Sequence, residues 1–219
     1  MNLRREEVSM TVKILVLVWV LLLAATSLFG QATLLPEKTD AYGFGVGVAR
    51  EDPATLINPY FGITLKSRLD VTFGYGFVRA NGNSTHNLVQ GAELVVIRGG
   101  ERAQPVFAVV GEAFTVRLSE TIGPQGGSGA DRVFAPYVRG GITEPLGGRW
   151  RVQVSAGVSY AMPSGDDRLD NELQGVVSAD FCRDLNRGGL VVIAPSVSFG
   201  EESTSVGITV GWVFLKDAR

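Results

Sequence analysis

The residue best suited to proton transfer in this sequence is His86, the only histidine among 219 residues. An imidazole titrates near neutral pH and often serves as a general base. Ser84 stands close by and carries a hydroxyl that such a base can activate. The surrounding residues 83–88 (NSTHNL) match no catalytic motif, and a histidine in a loop is ordinary. We therefore expect no enzymatic activity and no catalytic residue, and we keep His86 as a minor alternative.

Two other features resemble binding or reactive sites, but a structural role explains each of them better. Gly43, Gly45 and Gly47 alternate with larger residues and no helix follows, so a dinucleotide-binding loop is not expected. Cys182 is the single cysteine and cannot form an internal disulfide or a metal-ligand cluster. A formal net charge of −2 argues against a nucleic-acid partner. We predict neither a metal site nor a cofactor.

A period of two dominates the sequence, and residues 69–79 (LDVTFGYGFVR) show it clearly. Large apolar residues recur at every second position, and small or polar residues fill the gaps. This pattern is typical of a β-strand with two different faces. Either the apolar face forms the core of a soluble sandwich, or it contacts lipid on the outside of a membrane barrel.

The first 32 residues have the features of a signal peptide. Lys13 precedes an apolar run over residues 14–25, which is shorter than the roughly 20 residues of a membrane-spanning helix. Small residues at 30–32 indicate cleavage before Thr33, so we expect the mature domain to comprise residues 33–219. Glu6 and Glu7 are unusual in a signal peptide, and translation from Met10 is an alternative to Met1.

The mature chain predicts strands and no convincing helix. Our prediction places about ten strands, with eight as the alternative, at residues 41–50, 56–66, 69–79, 87–98, 105–118, 132–142, 149–160, 171–182, 189–199 and 204–214.

The predicted connections differ on the two sides. With both termini in the periplasm, long polar loops over residues 81–86, 119–131 and 161–170 would face outward, and shorter basic turns inward. Membrane barrels have long outer loops and short inner turns. The strand lengths also match a bilayer crossing of about 9–11 residues. Both features favour the barrel over the sandwich.

The mature chain resembles the small outer-membrane β-barrel family of the opacity-protein and OmpA-transmembrane type. The resemblance rests on the signal peptide and on residues 43–48 (GFGVGV), 135–141 (APYVRGG) and 206–214 (VGITVGWVF). It implies a closed, antiparallel, up-and-down transmembrane barrel in the outer membrane. Unlike many members, the chain continues for five residues after Phe214, as Leu-Lys-Asp-Ala-Arg.

Within such a barrel the pattern predicts two sets of residues. The lipid-facing set is Phe73, Tyr75, Phe77, Val154, Trp212 and Phe214. The second set is a structural network of charges in the lumen, namely Glu93, Glu112, Arg139, Arg151 and Asp180.

Turn positions suggest how the charges in the lumen pair. Arg151 is expected to lie nearly opposite Asp180, and Glu112 level with Arg139 and close to Glu93. A β-bulge near residues 111–113 would turn Glu112 inward. Inward placement is favoured because an arginine in lipid costs about 2–4 kcal/mol at the bilayer centre.

We expect a monomeric barrel of structural or surface-interaction type with a filled lumen. A narrow channel for small solutes and a lipid-modifying enzyme centred on His86 are the alternatives. The expected partners are outer-membrane lipids, lipopolysaccharide and, during insertion, the barrel-assembly machinery. The predicted outer connections are acidic, and their carboxylates could weakly hold divalent cations that bridge to lipid phosphates.

Overall fold

The chain was analysed as a computed structural model. It describes residues 31–51, 53–80, 82–98, 113–124, 130–164, 171–185, 188–201 and 204–216, so most of the predicted signal peptide lies outside the described residues. A short helix, α1 (Gln31–Leu34), precedes ten strands. The strands are β1 (Ala41–Glu51), β2 (Ala54–Leu65), β3 (Leu69–Ala80), β4 (Asn83–Arg98), β5 (Ala113–Pro124), β6 (Ala130–Gly147), β7 (Trp150–Ser164), β8 (Glu172–Leu185), β9 (Gly189–Phe199) and β10 (Thr204–Leu215).

All strands pair antiparallel with their neighbours in the chain. The first strand also pairs with the last, from Ala41 opposite Leu215 to Arg50 opposite Val206, and the sheet is a closed barrel. The prediction of an all-β, antiparallel, up-and-down fold is therefore confirmed. In the part of the chain that the structure describes, no helix is long and apolar enough to span a membrane.

The two ends of the barrel differ in their connections. The proximal end is the end where β1 begins and β10 ends, and the distal end is opposite. Tight turns at residues 66–68 and 148–149 lie at the proximal end, whereas the distal connections include residues 125–129 and 165–171. Strands extend through much of the predicted outer loops 81–86 and 119–131, so the distal connections are shorter than predicted.

The fifth strand overlaps its prediction and extends beyond it. The sequence predicts residues 105–118, of which residues 105–112 lie outside the described residues, and β5 spans Ala113–Pro124. Its pairing with β4 shifts register between Val95 and Ile97.

Side chains of alternate residues point into and away from the lumen along the strands. In β1 the buried and exposed positions alternate over most of the strand, and β2 alternates almost throughout. The outward positions carry large apolar residues, for example Phe73, which is 53% exposed, and Val158, which is also 53% exposed. The inward positions are buried and carry small, polar and charged residues together with some larger apolar ones such as Leu56 and Val78.

The inward polar residues form a continuous lining. They are buried because they face one another across a narrow lumen, as expected for a barrel of this strand number. Among them are Asn58, Thr64, Asp70, Thr72, Asn87, Glu93, Arg139, Gln153, Ser155, Ser159, Gln174, Ser178, Asp180, Ser196, Ser198, Ser205 and Thr209.

Glycines on the inner face make space for one aromatic ring. Gly45 lies opposite Tyr60 on β2 and opposite Gly211 on β10. A Cβ atom added at Gly45 would lie 2.5 Å from the Tyr60 Oη atom, and one added at Gly211 would lie 2.4 Å from it. Tyr60 therefore lies across both glycines, so a long side chain fills this space from an adjacent strand.

Candidate functional site

Three strands place a group of charged side chains inside the barrel. A guanidinium nitrogen of Arg139 donates to the Glu93 Oε1 atom at 2.8 Å, and another lies 4.0 Å from an Asp180 carboxylate oxygen. All three side chains are almost completely buried. Glu93 and Arg139 come from β4 and β6, which flank β5, so the ion pair spans an intervening strand. A charge-assisted hydrogen bond in such a dry site fixes both side chains.

Asp70 extends this group toward the proximal end. It lies directly opposite Glu93 in the pairing of β3 with β4 and is buried. Its Oδ1 atom accepts a hydrogen bond from the Thr64 hydroxyl, and its Oδ2 atom accepts one from the backbone N–H of Ala32 at 2.8 Å. We call Asp70, Glu93, Arg139 and Asp180 the luminal charge cluster.

The segment before β1 enters the lumen at the proximal end. The Thr33 hydroxyl donates to the Gln153 Oε1 atom at 2.8 Å, and Ala32, Leu34 and Leu35 are buried. Leu34 and Leu35 pack against Cys182 and other inward apolar residues of β1, β8, β9 and β10. We call residues 31–35 the proximal plug, because they fill the lumen where β1 begins.

The turn between β2 and β3 anchors the chain that follows the plug. Lys66 and Ser67 both have positive φ values, of 50° and 51°, as a tight two-residue hairpin turn requires. The Lys66 N–H donates to an Asp40 carboxylate oxygen at 2.8 Å, and the Ser67 N–H donates to the Thr39 carbonyl at 2.7 Å. These bonds hold residues 39–40 beside the turn and so direct the plug into the barrel.

The predicted pair of Arg151 with Asp180 is wrong. Arg151 lies opposite Cys182 and bonds an Asp184 carboxylate oxygen at 3.0 Å, while Asp180 lies opposite Gln153. The prediction paired residues 160 and 171 next to the distal loop, but the structure pairs Tyr160 with Leu173. This slip of two residues leaves each side chain on its predicted face and changes its partner.

The sequence predicts that Glu112 lies level with Arg139. Glu112 itself lies outside the described residues, as do residues 111–112 of the predicted bulge. The residue opposite Arg139 on β5 is Thr115, three positions from the predicted level. Arg139 instead reaches Glu93, because the side chains of β4 and β6 meet inside the curved wall across β5.

The predicted lipid-facing residues lie on the outward face. Phe73, Tyr75, Val154 and Trp212 are exposed. Phe77 and Phe214 are half-buried because each packs against neighbouring rings on the same face. Their environment is apolar and aromatic along the barrel wall.

His86 also lies on the outward face, near the distal end. Its Nδ1 atom is 2.6 Å from the Tyr75 hydroxyl, and its ring contacts those of Tyr75 and Phe77. Ser84 is paired with Arg79 in the strand register. The observed partner of His86 is therefore an aromatic residue, and this arrangement is typical of a polar ring within an aromatic cluster.

Two parts of the interior are absent from the predicted network. Asp70 and Gln153 lie on the polar faces of β3 and β7, and the period of two is the signal that places them inside. Leu34 and Leu35 lie one and two residues after Thr33, and two adjacent leucines are the signal for their burial. Among the described residues, no group of acidic, histidine or cysteine side chains is arranged to hold a metal ion.

Comparisons with known proteins find similarity at the level of structure. No family model and no curated protein sequence matches the chain. The β domain of the Bordetella autotransporter BrkA has 12% identity and a TM-score of 0.49, with 80% of this chain and 98% of that chain covered. The N-terminal β-barrel domain of Pseudomonas aeruginosa OprF has 11% identity and a TM-score of 0.36, covering 81% and 98%.

A third structure is the translocator domain of the autotransporter NalP from Neisseria meningitidis. It has 11% identity and a TM-score of 0.41, with 80% of this chain and 86% of that chain covered. The three structures are thus a β domain, a β-barrel domain and a translocator domain.

The ion pair in the luminal charge cluster predicts strong coupling between Arg139 and Glu93. Arg139→Met should lower the free energy of unfolding by about 3–5 kcal/mol, because it leaves buried carboxylates without their cation. Adding Glu93→Gln should restore part of this loss, with a coupling energy of about 1–3 kcal/mol. Denaturant unfolding of the refolded barrel measures the free energy of unfolding of the unaltered chain, the two single variants and the double variant.

Arg151→Met with Asp180→Ala is the matched control cycle, because these residues have separate partners. Their effects should add to within about 0.5 kcal/mol. Strong coupling in the control, or additive losses for Arg139 and Glu93, would contradict the observed register.

The proximal plug predicts that Cys182 is shielded from water. A water-soluble maleimide should not label this single cysteine in the folded barrel, because Leu34 and Leu35 pack against it. Replacing both leucines with aspartate should expel the plug and allow labelling, which mass spectrometry detects. Lys38→Asp, in the segment outside the plug, is the control and should leave Cys182 protected. Rapid labelling of the unaltered folded protein would show that the plug does not cover Cys182.

Proposed function

We propose that the protein is an integral outer-membrane β-barrel of structural or surface-interaction type, exported by a signal peptide that ends at residue 32. It is a monomer of ten strands, closed by the pairing of β1 with β10. It has no catalytic activity and needs no cofactor. The chain makes its contacts with lipids through the outward wall, and with other molecules at the distal end.

The observation that carries this proposal is the distribution of side chains on the two faces of the wall. Large apolar residues are exposed on the outward face of β1, β2, β3, β7, β8 and β10, while the inward face buries charges and amides. A soluble protein rarely exposes so continuous an apolar surface. In a bilayer the outer surface has to be apolar instead, because it contacts lipid rather than water.

Aromatic contacts near the proximal end support a membrane-spanning orientation. Tyr42 stacks on Phe214 near the proximal end, and Arg183 lies over the Trp150 ring there, with its Cζ atom 5.5 Å from the ring centroid. Aromatic and cationic side chains suit the boundary between lipid and water. We assign the proximal end to the periplasm and the distal end to the cell surface.

A lumen filled by its own side chains favours a structural role over a channel. The luminal charge cluster crosses the interior, and the proximal plug fills the end where β1 begins. Arg139 bonds Glu93 and lies 4.0 Å from Asp180, an arrangement that favours a filled interior over an open path. The acidic residues at the distal connections remain candidates for weak divalent-cation contacts with lipopolysaccharide phosphates, although most lie outside the described residues.

The two faces of β7 predict opposite tolerance to charge. Val154→Arg should impair membrane assembly, because its side chain points outward into lipid at a cost of up to about 2–4 kcal/mol. Gln153→Arg, on the adjacent inward position, should assemble far better because it adds a cation opposite Asp180. The yield of folded protein in the outer-membrane fraction compares the two. Equal yields would mean that the outward face does not contact lipid.

The class of protein and its lack of a pore are tested by fractionation and conductance. The mature chain should be recovered in outer membranes, migrate differently on gels with and without heating, and produce no steady current in planar bilayers. A soluble periplasmic product would exclude the barrel, whereas a steady current would establish the narrow channel. His86→Ala should leave the lipid A mass spectrum unchanged, and a shifted spectrum would favour the enzyme.

A further inference from the structure

The luminal charge cluster contains more carboxylates than cations. Asp70, Glu93 and Asp180 supply three carboxylates, whereas Arg139 supplies one guanidinium group, which contacts Glu93 and lies near Asp180. Asp70 and Glu93 lie directly opposite each other on adjacent strands, where like charges repel. Arg139 bonds Glu93 and approaches Asp180. Among the residues that the structure describes, Asp70 accepts hydrogen bonds from the hydroxyl of Thr64 and the peptide N–H of Ala32.

Two buried carboxylate oxygens of the cluster also have no hydrogen-bond partner. They are the Oε2 atom of Glu93 and the Oδ1 atom of Asp180 among the residues that the structure describes. Both side chains are at least 97% buried. Burying a carboxylate oxygen without a hydrogen-bond donor costs free energy. The interior therefore has the chemistry of a site for a small cation that can donate several hydrogen bonds.

The donor to Asp70 is the residue that the predicted processing removes. Cleavage of the signal peptide before Thr33 would release Ala32 and with it the N–H group that bonds Asp70. Thr33 follows immediately and already lies in the lumen, because its hydroxyl bonds Gln153. Its own nitrogen is one residue from the lost donor.

We propose that the luminal carboxylates bind a primary ammonium group, and that the occupant is the α-ammonium group of Thr33. This inference rests on the proposed export and cleavage. Water hydrolyses the peptide bond between Ala32 and Thr33, leaving a carboxylate on Ala32 and an amine on Thr33 that takes up a proton. The ammonium group then replaces one neutral N–H with three donors and a positive charge beside Asp70.

An ammonium ion suits this site better than a metal ion. The described carboxylates are not arranged to hold a metal ion, and the plug brings a nitrogen to Asp70 without a diffusing ligand. Cleavage therefore adds a second cation beside the three carboxylates of the cluster, which reduces its excess negative charge, and it holds the mature N-terminus inside the barrel. An uncleaved chain has the carboxylates without this cation.

The first experiment locates the Thr33 amine. Periodate cleaves the Cα–Cβ bond of an N-terminal threonine, releases acetaldehyde and ammonia, and is itself reduced to iodate. In the exported, processed protein this oxidation should be about tenfold or more slower in the folded barrel than after unfolding, because the group is buried. Mass spectrometry follows the reaction. A different mature N-terminus, or equal rates in the two states, would overturn the proposal.

The second experiment tests the contact with Asp70. The unfolded processed chain is oxidised with periodate, refolded, and compared with untreated chain by the midpoint temperature of its gel-mobility shift. Loss of the amine should lower this midpoint by roughly 5–10 °C. The loss should be much smaller in Asp70→Asn and unchanged in Asp40→Asn, whose carboxylate bonds the Lys66 turn.

Thr33→Val is the control for unrelated oxidation. It keeps the ammonium group but has no hydroxyl for periodate to act on, so treatment should leave its midpoint unchanged. If the untreated barrel shows the mobility shift but amine removal has no effect in the chain with Asp70, the ammonium site is excluded and the barrel stands. If no mobility shift occurs in any chain, the proposed barrel fails as well.

Discussion

The pairing of β1 with β10 is the constraint on which the rest of the structure depends. It joins the first and last strands over ten residue pairs, so neither strand is left as an open edge. Exposed strand edges carry unpaired N–H and C=O groups, which are costly in any medium without water. A closed wall also fixes the width of the lumen. Every inward side chain must then fit among the others, and this requirement explains the small residues around Tyr60 and the buried ion pair of Arg139.

The interior resolves a conflict between burial and charge. A lumen this narrow excludes most water, so charged groups are stable there only when they are paired. Arg139 pairs with Glu93 across an intervening strand, and this is possible only because the wall curves. The need for a paired charge remains unmet at Asp70. This residue lies where the chain before β1 enters the barrel. Packing and electrostatics thus converge on the proximal end, where Leu34 and Leu35 fill the lumen beside Cys182.

The outward wall follows a simpler rule. Its side chains contact few other residues, and its aromatic groups stack with one another along neighbouring strands, as Phe44 does with Trp212 and Phe214. Tyr75, Phe77 and His86 form a similar cluster. The histidine that first suggested catalysis is thereby held by the hydroxyl of Tyr75 and by the rings of Tyr75 and Phe77, so its local environment is that of the wall.

The sequence alone determined the strand character and the two faces, because a period of two is a local property that survives whatever the partner strand is. It therefore predicted the positions of Phe73, Val154, Arg139 and Asp180 relative to the wall. Tertiary structure decided which charges meet. A slip of two residues keeps every face, so the alternation could not distinguish Asp180 from Asp184 as the partner of Arg151. Tertiary structure also decided the path of residues 31–35, because so short a segment has no periodic pattern to show that it turns into the lumen.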